Sequence, residues 1–324
     1  MKTNRLLTIL SVLVLVFTSC TRHKEYRKFE GVVWNTTFSI TYASEKVLDD
    51  SIRNAMRMVE LSLSPFNKAS VITLVNQGDS VEVDSMIKTV FNASKQVNRQ
   101  SGGLFDPTLA PLINAYGFGY AKGEAAAPAK EQIDSLLAIV GIADCRIENN
   151  RMIKKHPLTQ FNFSAITKGF GVDEVARTLV RNGVSDYLVE IGGEIRTGGL
   201  NPDRKEWRIQ IDAPEDNGEA PIHKQLMTIS LTDIAVATSG NYRNNKTDSN
   251  GKKIGHTISP LTGNPVQVKY LSVTVIAPEC MTADAWATAI MAGTPLDSLP
   301  SGLTAYAVEF DESRNDYNVI QCSN

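Results

Sequence analysis

The stretch Thr282-Ala283-Asp284-Ala285-Trp286-Ala287-Thr288-Ala289 reads as a helix with two oxygen-bearing side chains on one face. Residues four apart share a helix face, so the Asp284 carboxylate and the Thr288 hydroxyl point the same way. The residues around them are mostly small and apolar and offer those oxygens few local partners. Two hard oxygen ligands suit Mg²⁺, which takes few protein ligands and completes its shell with phosphate and water oxygens. The competing reading is structural. In it Thr282 caps the helix, and Asp284 is a first-turn residue favoured by the helix dipole.

Outward from this helix, strands are expected at Leu271–Ala277 before it and at Ala305–Glu309 and Tyr317–Ile320 after it. Further strands are expected at Tyr187–Ile191, Trp207–Asp212, Gln225–Leu231 and Ile234–Ala237, and an early one at Val32–Tyr42. The helices come mostly earlier. Asp49-Asp50 open one with Ile52, Ala55, Met56, Val59 and Leu63 on one stripe. Asp84 caps another, which Gly102-Gly103 end. Thr108–Tyr116 and Glu131–Val140 are shorter, and Thr167–Arg181 is amphipathic and stops at Gly183. Early helices and later strands that do not alternate regularly argue for an α+β fold over a doubly wound sheet. No linker divides the chain cleanly.

The N-terminus reads as a targeting segment. Lys2 and Arg5 precede an apolar run from Leu6 to Phe17, followed by Thr18-Ser19-Cys20. The run is too short to span a bilayer comfortably and fits a signal-peptide core. Small residues before a cysteine resemble a bacterial lipobox, with Phe17 where Leu is usual. The expected organisation is a signal peptide at 1–19, lipidation at Cys20, a polar tether over 20–30 and one domain over 31–324. The domain would then face the periplasm, lipid-anchored to the inner or outer membrane.

The 324 residues are 42% hydrophobic and 21% charged with a net charge of −2. That is an ordinary globular composition, and no basic excess points to nucleic acid as a partner. Cys145, Cys280 and Cys322 are too few and too odd in number for a disulfide framework, although one bridge is open to them. The histidines show no zinc-like spacing with cysteines.

Five glycine- or hydroxyl-rich segments interrupt the scaffold. Gly102-Gly103-Leu104-Phe105-Asp106-Pro107-Thr108 allows close backbone approach, and Asp106 can accept hydrogen bonds from a sugar or base, or the segment is a helix C-cap followed by an Asp-Pro turn into the next helix. Asn162-Phe163-Ser164-Ala165-Ile166-Thr167-Lys168-Gly169 enters a helix, so its free N–H groups and Lys168 suit a phosphate. Glu190-Ile191-Gly192-Gly193-Glu194 reads as a strand edge approached closely by a flat ligand or another backbone, or as a bulge. Ala237-Thr238-Ser239-Gly240-Asn241-Tyr242 is a polar turn. His256-Thr257-Ile258-Ser259-Pro260 carries a histidine able to act as a general base near neutral pH.

In this order, with Trp34-Asn35-Thr36, Ser64-Pro65-Phe66 and Ser70 ahead of them, the segments resemble the ApbE family of FAD:protein FMN transferases. The resemblance spans about residues 31–295 and implies a bilobal α+β fold with FAD in a central cleft. It implies Mg²⁺ held by Asp284, Thr288 and the Ala165 carbonyl. It also implies FAD contacts from Trp34, Phe66, Leu104, Phe105, Asp106, Asn162, Lys168 and Thr257, and catalysis by His256, Asp284 and Lys168. The implied reaction moves FMN from FAD onto a Ser or Thr of an acceptor protein, such as a subunit of a membrane redox complex, and releases AMP. Asn162 stands where the family has Asp, Ser164 and Thr167 where it has Gly and Ala, and Trp34-Asn35 where it has Met-Gly. Two other readings use the same site: a Mg²⁺-dependent FAD pyrophosphatase yielding FMN and AMP, and a lipid-anchored FAD-binding protein without turnover.

Overall fold

The computed structural model describes residues 25–119, 127–215, 224–240, 245–247, 253–255, 257–266 and 270–324. The expected signal segment, Cys20 and His256 lie outside the described residues, as do Asn241 and Tyr242.

The chain opens with strands β1 (Tyr26–Val33) and β2 (Thr36–Ala43), then helices α1 (Asp49–Leu63), α2 (Val71–Gln77), α3 (Ser85–Gln100), α4 (Ala110–Ala115) and α5 (Lys130–Leu137). The short hairpin β3 (Arg146–Glu148) and β4 (Arg151–Ile153) leads to the long helix α6 (Ser164–Arg181). Strands β5 (Tyr187–Ile191), β6 (Glu194–Gly198), β7 (Trp207–Asp212), β8 (Gln225–Leu231) and β9 (Ala235–Gly240) follow. After β10 (Asn245–Thr247), β11 (Lys253–Gly255) and β12 (Ser272–Ala277) come α7 (Cys280–Met291), β13 (Thr304–Asp311) and β14 (Asp316–Ser323).

Eight strands form one sheet in the order β1-β2-β5-β6-β9-β12-β13-β14, and every neighbouring pair is antiparallel. This is the expected α+β arrangement. Helix α6 packs on β5 and β6, and α7 on β9 and β12, so both lie against the sheet and against each other. Each of the six residues of β12 is buried, as a central strand covered on both faces requires.

The cores are two. The larger joins the sheet to α1, α3, α6 and α7 through Ile40, Ile52, Phe91, Phe170 and Trp286. A smaller one gathers Leu109, Leu112, Tyr116, Ile133, Val140 and Ile258. This division agrees with the two-lobed expectation.

Several local expectations change. Val32–Tyr42 is not one strand, because Trp34 and Asn35 have φ of 48° and 61° and form a two-residue hairpin turn pairing Val33 with Thr36. Val32 and Val33 are both apolar, which blurs the reversal of phase. Strand β1 starts at Tyr26 and pairs along its full length with β2, so residues 26–30, expected as part of a tether, belong to the sheet. Helix α2 was not expected from the sequence. It is short, and Ser70 caps it by accepting from Thr73 N. Cys145, Cys280 and Cys322 are all free, so no disulfide joins the described residues.

Candidate active site

Helices α6 and α7 meet along two rows of residues spaced by four. One row is Ala165, Gly169 and Asp173; the other is Cys280, Asp284 and Thr288. Residues spaced by four form a ridge on a helix surface, and ridges of this kind interlock. The rows run in opposite directions. Asp173 accepts from Cys280 N at 3.0 Å and from Met281 N at 2.9 Å, and Gly169 N donates to Asp284 Oδ2 at 2.9 Å. The approach needs a glycine, since a Cβ on residue 169 would stand 2.3 Å from the Cys280 carbonyl oxygen and 2.8 Å from Asp284 Cβ.

These contacts correct the capping expectation for α7. The helix starts at Cys280, two residues before Thr282, and its N-cap residue Glu279 makes no side-chain cap. The cap comes from Asp173 on α6, which a one-dimensional motif cannot reveal.

Asp284 is buried, and among the described residues the Gly169 N–H is its one hydrogen-bond donor. A regular helix gives that N–H to the Ala165 carbonyl, four residues back. Asp284 competes for it, and Ala165 lines the cavity beside Asp284. Thr288 Oγ1 lies 3.2 Å from Ser239 Oγ at the end of β9.

Lys168 points from α6 to Glu194, donating to Oε1 at 2.7 Å and Oε2 at 2.8 Å. Glu194 is reached through Gly192 and Gly193, with φ of 60° and 96°, which close the tight turn between β5 and β6. The Gly-Gly pair is therefore a hairpin turn that delivers a carboxylate, and neither a bulge nor a ligand-facing strand edge. Burial pushes the Glu194 carboxyl up to about 7, aided by the Asp284 charge and opposed by Lys168. Burial likewise raises Asp284, opposed by Lys168 and the Gly169 N–H. For Lys168, burial works to lower the pKa, but Glu194 and Asp284 outweigh it and hold the ammonium above its ordinary value.

These groups form one wall of a cavity of about 770 Å³, a size that holds small-molecule ligands. Phe66, Leu104, Phe105, Asp106, Asn162, Thr257, Ala165, Lys168, Asp284 and Thr288 all line it. Leu109, Ile113 and Ile258 line it from the smaller core, so the cavity lies between the two cores. The site draws on separate loops pinned together. Asn162 N donates to the Pro107 carbonyl at 2.7 Å, and Asn162 Oδ1 accepts from Ser164 N at 2.9 Å.

Two expected contacts read differently. The Trp34 ring packs toward α6, where a Cβ on Gly171 would lie 2.2 Å from it, and Trp34 is not among the cavity residues; its neighbour Asn35 is. Asp106 lines the cavity with its carboxylate already engaged. It accepts from Thr108 N, Thr108 Oγ1 and Ile142 N at 2.8, 2.6 and 3.0 Å. Burial raises its pKa against those bonds. Its carboxylate therefore shapes the loop more than it offers itself to a ligand. Glu194 and Ser239 also line the cavity. The signal for Glu194 was its position directly after Gly192-Gly193.

Comparison with known proteins agrees across three lines. The model of the ApbE family matches residues 34–299. A FAD:protein FMN transferase of Vibrio cholerae is 36% identical over 297 residues, covering 89% of this chain and 87% of that protein. One from Haemophilus influenzae is 33% identical over 294 residues, covering 86% and 84%. Among solved structures, the flavin transferase ApbE from Vibrio cholerae superposes with a TM-score of 0.80 at 31% identity, covering 93% of this chain and 98% of that one. The apo form of the Pseudomonas stutzeri flavinyl transferase ApbE gives 0.80 at 29% identity, covering 92% and 95%.

Proposed function

The chain belongs to the ApbE family, and we propose that it is a Mg²⁺-dependent FAD:protein FMN transferase that attaches FMN to a Ser or Thr hydroxyl of an acceptor protein. The observation that carries this reading is the convergence of Lys168, Glu194, Asp284, Thr288 and Ala165 on one wall of the cavity. Phosphoryl transfer needs positioning and charge neutralisation more than covalent help from the protein.

The residues fit Mg²⁺. Asp284 is a buried carboxylate with one described donor, a state that a cation relieves. Asp284, Thr288 and the Ala165 carbonyl would supply three oxygens and leave other positions for pyrophosphate and water. Bound there, the ion supplies charge neutralisation for the departing phosphate.

In the proposed reaction the acceptor hydroxyl oxygen attacks the phosphorus of the FMN half. The bond from that phosphorus to the bridging oxygen breaks, and AMP leaves with that oxygen. His256 takes the hydroxyl proton; its chain neighbour Thr257 lines the cavity. Lys168, fixed by Glu194, faces the pyrophosphate with a positive charge. Phe66, Leu104, Phe105 and Asn162 form the walls for the flavin and adenine ends.

The leader ending at Cys20 supports a lipoprotein facing the periplasm, where the acceptors are exported or membrane-bound redox proteins.

The test is incubation with FAD, Mg²⁺ and an acceptor polypeptide bearing a Ser/Thr flavinylation motif. Mass spectrometry should find FMN added to the acceptor together with free AMP. AMP and free FMN without modified acceptor would identify a pyrophosphatase. FAD binding with neither product would identify a carrier.

A further inference from the structure

We propose that Asp173 is a positioning residue: it sets the height of α7 along α6 and so places Asp284 and Thr288 for the metal. The inference rests on the proposed Mg²⁺ site. Asp173 is fully buried, and both of its oxygens are used. Oδ1 accepts from Cys280 N and from the Arg196 guanidinium on β6, and Oδ2 accepts from Met281 N. One side chain thus ties the first turn of α7 to α6 and to the sheet.

A cap taken from within α7 would satisfy the same N–H groups. It would not fix where α7 lies along its neighbour. The shared cap does. Cys280 and Asp284 are one turn apart and Thr288 is one turn further, so the clamp at Cys280 propagates rigidly along the row. Each residue of a helix rises about 1.5 Å, and Mg²⁺ holds its oxygens at about 2.0–2.1 Å. A slip of even one residue would carry Asp284 out of range of an oxygen set completed by Ala165. Glu279, paired with Arg177 at 3.3 Å, adds a second tie at the same end.

The test compares Asp173→Asn with the double variant Asp173→Leu/Arg196→Met, in which no buried charge is left unpaired. Mn²⁺ binding to the FAD complex is followed by electron paramagnetic resonance, and FAD binding without metal by fluorescence. We expect Mn²⁺ affinity to fall about tenfold or more, while metal-free FAD affinity stays within about twofold. Unchanged Mn²⁺ affinity in a folded variant overturns the inference. Should neither variant fold, hydrogen exchange in the wild type decides. Coupling is reciprocal, so Mg²⁺ with FAD must slow exchange at the Cys280 and Met281 amides, and unchanged exchange there overturns the inference. If the wild type shows no metal-dependent AMP release at all, the transferase reading fails instead.

Discussion

The backbone N–H of Gly169 donates to Asp284 Oδ2 across the α6–α7 contact at 2.9 Å. A helix amide here serves a side chain of another helix, which is possible because residue 169 has no Cβ. Gly169→Ala would drive a methyl against the Cys280 carbonyl oxygen and Asp284 Cβ. Overpacking of this kind destabilises by about 1–3 kcal/mol. The expected outcome is a lower midpoint in urea unfolding and a loss of AMP release of about tenfold or more. A variant with wild-type midpoint and turnover would show that the contact yields easily.

Asp284 brings the only negative charge among the three proposed metal ligands. Asp284→Ala should abolish Mg²⁺-dependent AMP release, while metal-free FAD binding persists through the apolar walls. Thr288→Ala should lose only about tenfold, since water can replace a neutral hydroxyl. AMP release measured across a Mg²⁺ titration separates the two. Wild-type turnover in Asp284→Ala would remove the basis of the metal assignment.

Glu194 gives the protein a pH-dependent stability. Its carboxyl is raised from an ordinary 4.5 to about 7, chiefly by burial. Between those values the native state holds a proton that the unfolded chain has released. The contribution is therefore fully present below 4.5 and is lost as pH rises through about 7. In metal-free protein the melting temperature should fall over this window by a few °C more in the wild type than in Glu194→Gln. Equal slopes in the two proteins would sink the assignment.

Cys20→Ala should release the protein from the membrane fraction or leave it unprocessed. Mass spectrometry of the mature N-terminus supplies the complementary check. Retention in the membrane with no lipid on Cys20 would contradict the anchor.

Much of the fold was legible because its strands carry plain signals. Tyr187–Ile191, Trp207–Asp212 and Gln225–Leu231 have the expected ends. Helix α1 begins at Asp49 as expected, and Asp84 caps α3 by accepting from Ile87 N. The first hairpin was not legible, because two adjacent valines hide the change of phase before a turn that a tryptophan occupies with positive φ.

The site was legible where a motif sits on one element. Asp284 and Thr288 share a helix face by spacing alone, and Lys168 follows a loop-to-helix entry. The sequence by itself therefore determined the α+β class and the family resemblance, and it singled out ten of the residues that line the cavity. Only the tertiary structure decided how their charges are satisfied. Lys168 and Glu194 are 26 residues apart, Gly169 and Asp284 115 apart, and Asp173 and Met281 108 apart. Each contact depends on how α6 lies against α7 and the sheet, and local spacing carries no information about the distance between elements.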